Sequence, residues 1–77
     1  MSKISPVKPK ELVRFLVSIG FCEVRTKGSH MIMKDKDGNM TVVPMHAGKD
    51  IPVGTLIAIL RDIGIEKEDF VRMFKKK

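Results

Sequence analysis

Leu12, Phe15, Leu16 and Ile19 recur at spacings of three and four, the period that gathers side chains on one face of an α-helix. Pro9 suits the first turn of that helix, where its missing N–H costs nothing, and Gly20 followed by apolar Phe21 supplies a left-handed stop. From Phe21 to Thr26 the period changes to two, with Cys22, Val24 and Thr26 on one side and Glu23 and Arg25 on the other, which predicts a half-buried strand. Lys27-Gly28-Ser29 makes a turn, and His30 to Lys34 a second strand with Met31 and Met33 facing one way, His30 and Ile32 the other. Asp35-Lys36-Asp37-Gly38-Asn39 is a hairpin loop, after which Met40 to Val43 forms a third strand closed by Pro44. Asp50 as N-cap and Pro52 in the first turn open a second helix, whose buried stripe is Leu56, Ile59, Leu60 and Ile63 and whose stop is Gly64-Ile65. Glu66 to Phe74 adds a short third helix, acidic at its start and basic at its end.

The order α-β-β-β-α predicts an α+β fold of two layers, a three-stranded antiparallel sheet with two helices on one face. The open sheet face and its loops then remain for function. In outline this resembles the double-stranded-RNA-binding fold, a likeness of fold and not of activity. The segments Leu12 to Phe21 and Leu56 to Ile65 share one apolar template, a common packing logic and not a repeat architecture. With 77 residues there is room for one domain, 1–77, with 1–6 as a leader and 75–77 as a tail expected to fray.

Composition narrows the function. Cys22 is the lone cysteine, so no internal disulfide forms and a reducing compartment fits. The N-terminal apolar residues are interrupted by Lys8, Lys10, Glu11 and Arg14, unlike a signal peptide, and no run approaches a membrane span. The expectation is a soluble, cytoplasmic protein. A net charge of +6 attracts polyanions, of which phosphate backbones are the commonest. Part of that excess lies in Lys75 to Lys77, whereas Arg25, Lys27, Lys34, Lys36 and Lys49 crowd one stretch against Asp35 and Asp37. A merely solvated face is the plain alternative there.

The chemistry gathers at Lys27-Gly28-Ser29-His30. Imidazole exchanges protons near neutral pH, and RNA carries its own nucleophile in the 2′-hydroxyl beside each phosphate. A protein need only remove that proton, steady the charge on phosphorus and protonate the leaving 5′-oxygen. His30 is the candidate catalytic residue, Lys27 can offset developing charge, and the N–H groups of Gly28 and Ser29 can bind a phosphate oxygen. The bland alternative is a histidine that only begins a strand. Ser29 and His30 are adjacent and point apart on an extended strand, and no Gly-x-Ser-x-Gly elbow exists, so acyl transfer is not expected.

His46, in Pro44-Met45-His46-Ala47-Gly48-Lys49, precedes the second helix, whose start favours anions. With Lys49, and a hydroxyl from Thr55, it would extend a phosphate-binding wall; equally, it would only hold the helix entry by hydrogen bonding. The expected RNA-binding set is Arg25, Lys27, Gly28, Ser29, His46 and Lys49. Lys27, His46 and water all remain open as the second proton-transfer group. Cys22, His30 and His46 match no zinc spacing, so no metal and no cofactor is expected. Trp and Tyr are absent and the four Phe belong to helices or their edges, so recognition leans on backbone and shape.

Gly28-Ser29-His30, Asp37-Gly38, Thr41-Val42-Val43-Pro44, His46-Ala47-Gly48-Lys49-Asp50-Ile51, Gly54-Thr55-Leu56 and Ile59-Leu60-Arg61-Asp62-Ile63-Gly64-Ile65 together resemble the HicA family of toxins. The likeness runs from about Val7 to Phe70 with order and spacing in agreement. It implies a double-stranded-RNA-binding-like fold, ribosome-independent cleavage of mRNA as an endoribonuclease, and a catalytic histidine in the Gly-Ser-His turn, here His30. It also implies a HicB-type antitoxin that covers the site and represses the shared operon. One departure is the cluster Met31, Met33, Met40 and Met45, at positions where family members vary. A non-catalytic RNA-binding module of the same fold is the alternative, and an interaction protein with an open sheet face a further one.

Overall fold

In the computed structural model, which describes residues 4–75 without the side chain of Lys75, the chain runs α1 (Pro9–Ser18), β1 (Cys22–Lys27), β2 (His30–Lys34), β3 (Met40–Pro44), α2 (Val53–Ile63) and α3 (Lys67–Lys75). The fraying expected at 1–3 and 76–77 lies outside the described residues. The strands form one antiparallel meander in the order β1-β2-β3. The fold is α+β, with α1 and α2 laid against one face of the sheet, chiefly along β3.

The apolar stripes do what their spacing dictates. Leu12, Phe15 and Leu16 from α1 and Leu56, Ile59 and Leu60 from α2 are buried against Met33 and Val43 of the sheet. Both helices end in the same motif. The Phe21 N–H donates to the Leu16 carbonyl (2.9 Å) and the Ile65 N–H to the Leu60 carbonyl (3.0 Å), across Gly20 and Gly64 at positive φ. The one buried polar side chain among the described residues, Thr41, donates to Asp62 Oδ2 (3.0 Å), a neutral-to-charged bond that ties β3 to α2.

α3 completes this core. Phe70 is buried, meeting the edge of Phe15 at a centroid distance of 5.0 Å and stacking on Phe74 at 4.9 Å. The N-terminal segment contributes as well. Val7 is buried and exchanges both backbone hydrogen bonds with Ile51 (3.3 and 2.7 Å), while Ile4, expected in the leader, packs on the core from outside. That bridge changes the start of α2. Asp50 is not the N-cap: Ile51 is extended in the bridge, Pro52 takes the N-cap position and no side chain caps the helix. An extended residue cannot also belong to a first helical turn.

β1 departs furthest from its pattern. All six of its residues are exposed, because the helices cover β2 and β3 and leave β1 as an uncovered edge. Its alternation is also broken. Glu23 pairs with Met33 and Arg25 with Ile32, so Val24 is the extra residue of a β-bulge. Cys22, Arg25 and Lys27 therefore share the open face, and Glu23 and Thr26 the other. The Thr26 hydroxyl accordingly donates to Glu23, three residues back along the same strand.

The β2–β3 loop is held by Asp35. Its carboxylate accepts from the N–H groups of Asp37 (3.0 Å) and Asn39 (2.8 Å) and from Asn39 Nδ2 (2.9 Å). These bonds, that from the Asn39 side chain first, hold the Asp35 carboxyl below its ordinary pKa.

Candidate active site and nucleic-acid interface

The turn between β1 and β2 is as short as a hairpin permits. Lys27 pairs with His30, leaving Gly28 and Ser29 as the two loop residues, with Gly28 at φ 60° and Ser29 at negative φ. Positive φ at the first loop position is the pattern of a type II′ turn, whose twist matches that of the strands it joins. His30, the first residue of β2, is exposed on the open sheet face.

Three cross-strand rows make up that face: Lys27, His30 and Pro44; then Arg25, Ile32 and Val42; then Cys22, Lys34 and Met40. Each row sets a cation beside apolar surface, and Val42 and Met40 are exposed. Arg25 lies two residues before Lys27 on the same face, and the bulge at Val24 is what adds Cys22 to it.

The segment after β3 folds back over the turn. The Met45 N–H donates to the Ser29 carbonyl, extending the β2–β3 ladder one step past the His30–Pro44 pair. His46 follows at once, and the Lys49 N–H closes a turn on its carbonyl (3.1 Å). The result brings the chain's two histidines together. Their ring centroids stand 6.2 Å apart with planes 80° to each other. Both residues are exposed, and neither imidazole hydrogen-bonds to another described side chain. Ser29 makes no side-chain bond to His30, so nothing here forms a nucleophile–base pair.

His46 also borders a cleft of about 370 Å³, lined by Lys8, Lys10, Met45, His46, Lys49 and Asp50 among others. The cleft corrects one expectation. The cationic wall around His46 is built with the start of α1 and not with that of α2, which begins only at Val53; Thr55 does not line it. The expected RNA-binding residues thus fall on two surfaces. Arg25 and Lys27 lie on the sheet face, Lys49 lies in the cleft, and the Gly28-Ser29 turn with its two histidines stands at their junction.

Lys8 and Lys10 were outside the expected set. Lysines at a helix start oppose the helix dipole and so offer it no support, a signal that they serve something other than the helix. Among the described residues no group of three or more His, Cys, Asp or Glu side chains stands close enough to hold a metal ion. No helix among them is long and apolar enough to cross a membrane.

Comparison with curated proteins finds none that matches the chain. A family model described as HicA toxin of bacterial toxin-antitoxin matches residues 9–65, from the first residue of α1 to the close of α2. That span holds the turn, both histidines and the cleft's lysines other than Lys8. The motifs and the α+β fold that carries them agree with it, and the chain belongs to the HicA toxin family, the toxins of two-component systems whose other member is an antitoxin.

Proposed function

We propose that this toxin is an endoribonuclease that cleaves mRNA, with His30 as a catalytic residue. The observation that carries this reading is an exposed histidine set on a rigid two-residue turn at the end of a cationic sheet face. Phosphodiester cleavage by the substrate's own 2′-hydroxyl asks for little else. As the 2′-oxygen bonds to phosphorus its proton must leave, and as the bond to the 5′-oxygen breaks a proton must arrive. His30 handles one of these transfers. Lys27 and the amides of Gly28 and Ser29 bear on the phosphate oxygens, where negative charge builds. Arg25 and Lys49 hold the flanking backbone, and His46 stands beside His30 at the phosphate. No metal or cofactor takes part, the reaction is independent of the ribosome, and it takes place in the cytoplasm.

A HicB-type antitoxin is the proposed partner, covering the turn and the two histidines. The experiment is incubation of purified protein with an RNA oligonucleotide. Wild type leaves a 2′,3′-cyclic phosphate or 3′-phosphate, His30→Ala leaves the RNA intact, and a single 2′-deoxy at the scissile position blocks cutting. Efficient cutting of the deoxy substrate would exclude 2′-attack. Salt-dependent binding without cleavage would mark an RNA-binding module instead.

A further inference from the structure

We propose that His46 is the second proton-transfer group of this site, sharing with His30 the two proton transfers of phosphodiester cleavage; the assignment rests on the endoribonuclease reading above. In-line displacement puts the entering 2′-oxygen and the departing 5′-oxygen on opposite sides of phosphorus. Two proton carriers must therefore flank the phosphate and not touch each other. The imidazoles of His30 and His46 meet that requirement. Their centroids are 6.2 Å apart, beyond direct ring-to-ring hydrogen bonding and close enough for one phosphate group to approach both.

The spacing is built into the backbone. His30 is fixed by its cross-strand pair with Pro44 and His46 by the Met45-to-Ser29 hydrogen bond one step on, so the same ladder positions both rings. Other candidates fit less well. The Ser29 hydroxyl makes no hydrogen bond to either imidazole, and Lys27, exposed beside His30, serves as a charge and not as a proton carrier. The cleft on the far side of His46, with Lys8, Lys10 and Lys49, supplies cations for the next phosphate along the strand. A strand crossing from the sheet face to the cleft would bring a phosphate over the two rings.

The proton balance closes within the pair. One neutral imidazole takes the 2′-hydroxyl proton as the O2′–P bond forms. The other, protonated, gives its proton to O5′ as the P–O5′ bond breaks. The products are a 2′,3′-cyclic phosphate and a 5′-hydroxyl, and the two rings end with their protonation states exchanged. The charged groups around the pair are Lys8, Lys10, Lys49 and Asp50, which line the cleft with His46, and Lys27, the cross-strand partner of His30.

The test compares wild type, His30→Ala, His46→Ala and His46→Gln, each first shown to melt like wild type. Steady-state kcat and KM are measured across pH on one RNA oligonucleotide. The same oligonucleotide is then used with sulfur replacing the scissile 5′-oxygen, a leaving group that departs without a proton. Expected is a loss of about 10²–10⁴-fold in kcat for both His46 variants with KM little changed, and the disappearance of one limb of the pH profile. The sulfur substrate should restore either His30→Ala or the His46 variants, and not both. Wild-type kcat in His46→Gln, a rise in KM alone, or an intact two-limbed profile would overturn the assignment, as would rescue of both or of neither. These results are distinct from failure of the endoribonuclease reading, which would show as wild-type protein that leaves RNA uncut or yields 3′-hydroxyl ends.

Discussion

The carbonyl of Ser29 accepts a hydrogen bond from the amide of Met45, and this main-chain link sets the distance between the two histidines. Because the link uses no side chain, Ser29→Ala should keep the site intact and cleave RNA close to the wild-type rate. Gly28→Ala should not be so mild. Gly28 has open space around it but a φ of 60°, where a Cβ costs about 1–2 kcal/mol. A lower melting temperature and slower cleavage for Gly28→Ala alone would check the contrast.

Val24 is the inserted residue of the β1 bulge, and its side chain is exposed. Deleting it should leave Cys22, Arg25 and Lys27 on the open face, since regular alternation from Cys22 then gives the same assignment. Inserting a residue between Arg25 and Thr26 should turn Arg25 to the opposite face. RNA affinity at low salt separates the two: retained in the deletion, weakened in the insertion.

The lysines of the cleft predict a salt signature. On single strands each phosphate contact contributes about −0.7 to the slope of log affinity against log salt. Lys8→Gln and Lys49→Gln should each flatten that slope by about 0.7. Lys67→Gln, on α3 and away from this cleft, should leave it unchanged.

Phe70 contributes its ring to the core from outside the family-matched segment, against Phe15 and Phe74. Phe70→Ala should cost about 3–5 kcal/mol, a large share of what so small a domain possesses. A chain ended at Ile65 should lack cooperative unfolding. Thermal melts followed by circular dichroism test both.

The Asp35 carboxyl is held below its ordinary value by the loop amides and Asn39, so its charged form stabilises the folded hairpin. The contribution is whole above the unfolded-state pKa, about 3.9, and is lost as pH falls through the lowered folded value. In Asp35→Asn the urea midpoint should lose that part of its acid dependence while the rest of the profile persists.

Helix faces were legible because they rest on local rules: the stripes Leu12-Phe15-Leu16 and Leu56-Ile59-Leu60, and the stops at Gly20 and Gly64, need no distant partner. The hairpins were legible for the same reason, through Gly28 and Asp37-Gly38. What the pattern could not reveal was set by neighbours far along the chain. Ile51 pairs with Val7, and this displaced the α2 cap from Asp50 to Pro52. Simple alternation groups Cys22 with Thr26 and Glu23 with Arg25, whereas the bulge at Val24 sets Cys22 beside Arg25 on the open face and Glu23 beside Thr26 on the other. His30 could be singled out from its turn alone. Its nearness to His46 depends on the Ser29–Met45 bond, and the part of Lys8 and Lys10 depends on α1 lying beside the loop after β3.

An edge strand open on one side is an invitation to sheet extension by a second chain, and β1 has both faces bare as well. The bulge at Val24 spoils the outer row of amides and carbonyls as a template, and Glu23, Arg25 and Lys27 place charge along it. The bulge that brings Cys22 onto the open face therefore also guards this edge of the sheet against pairing with a second copy of the chain.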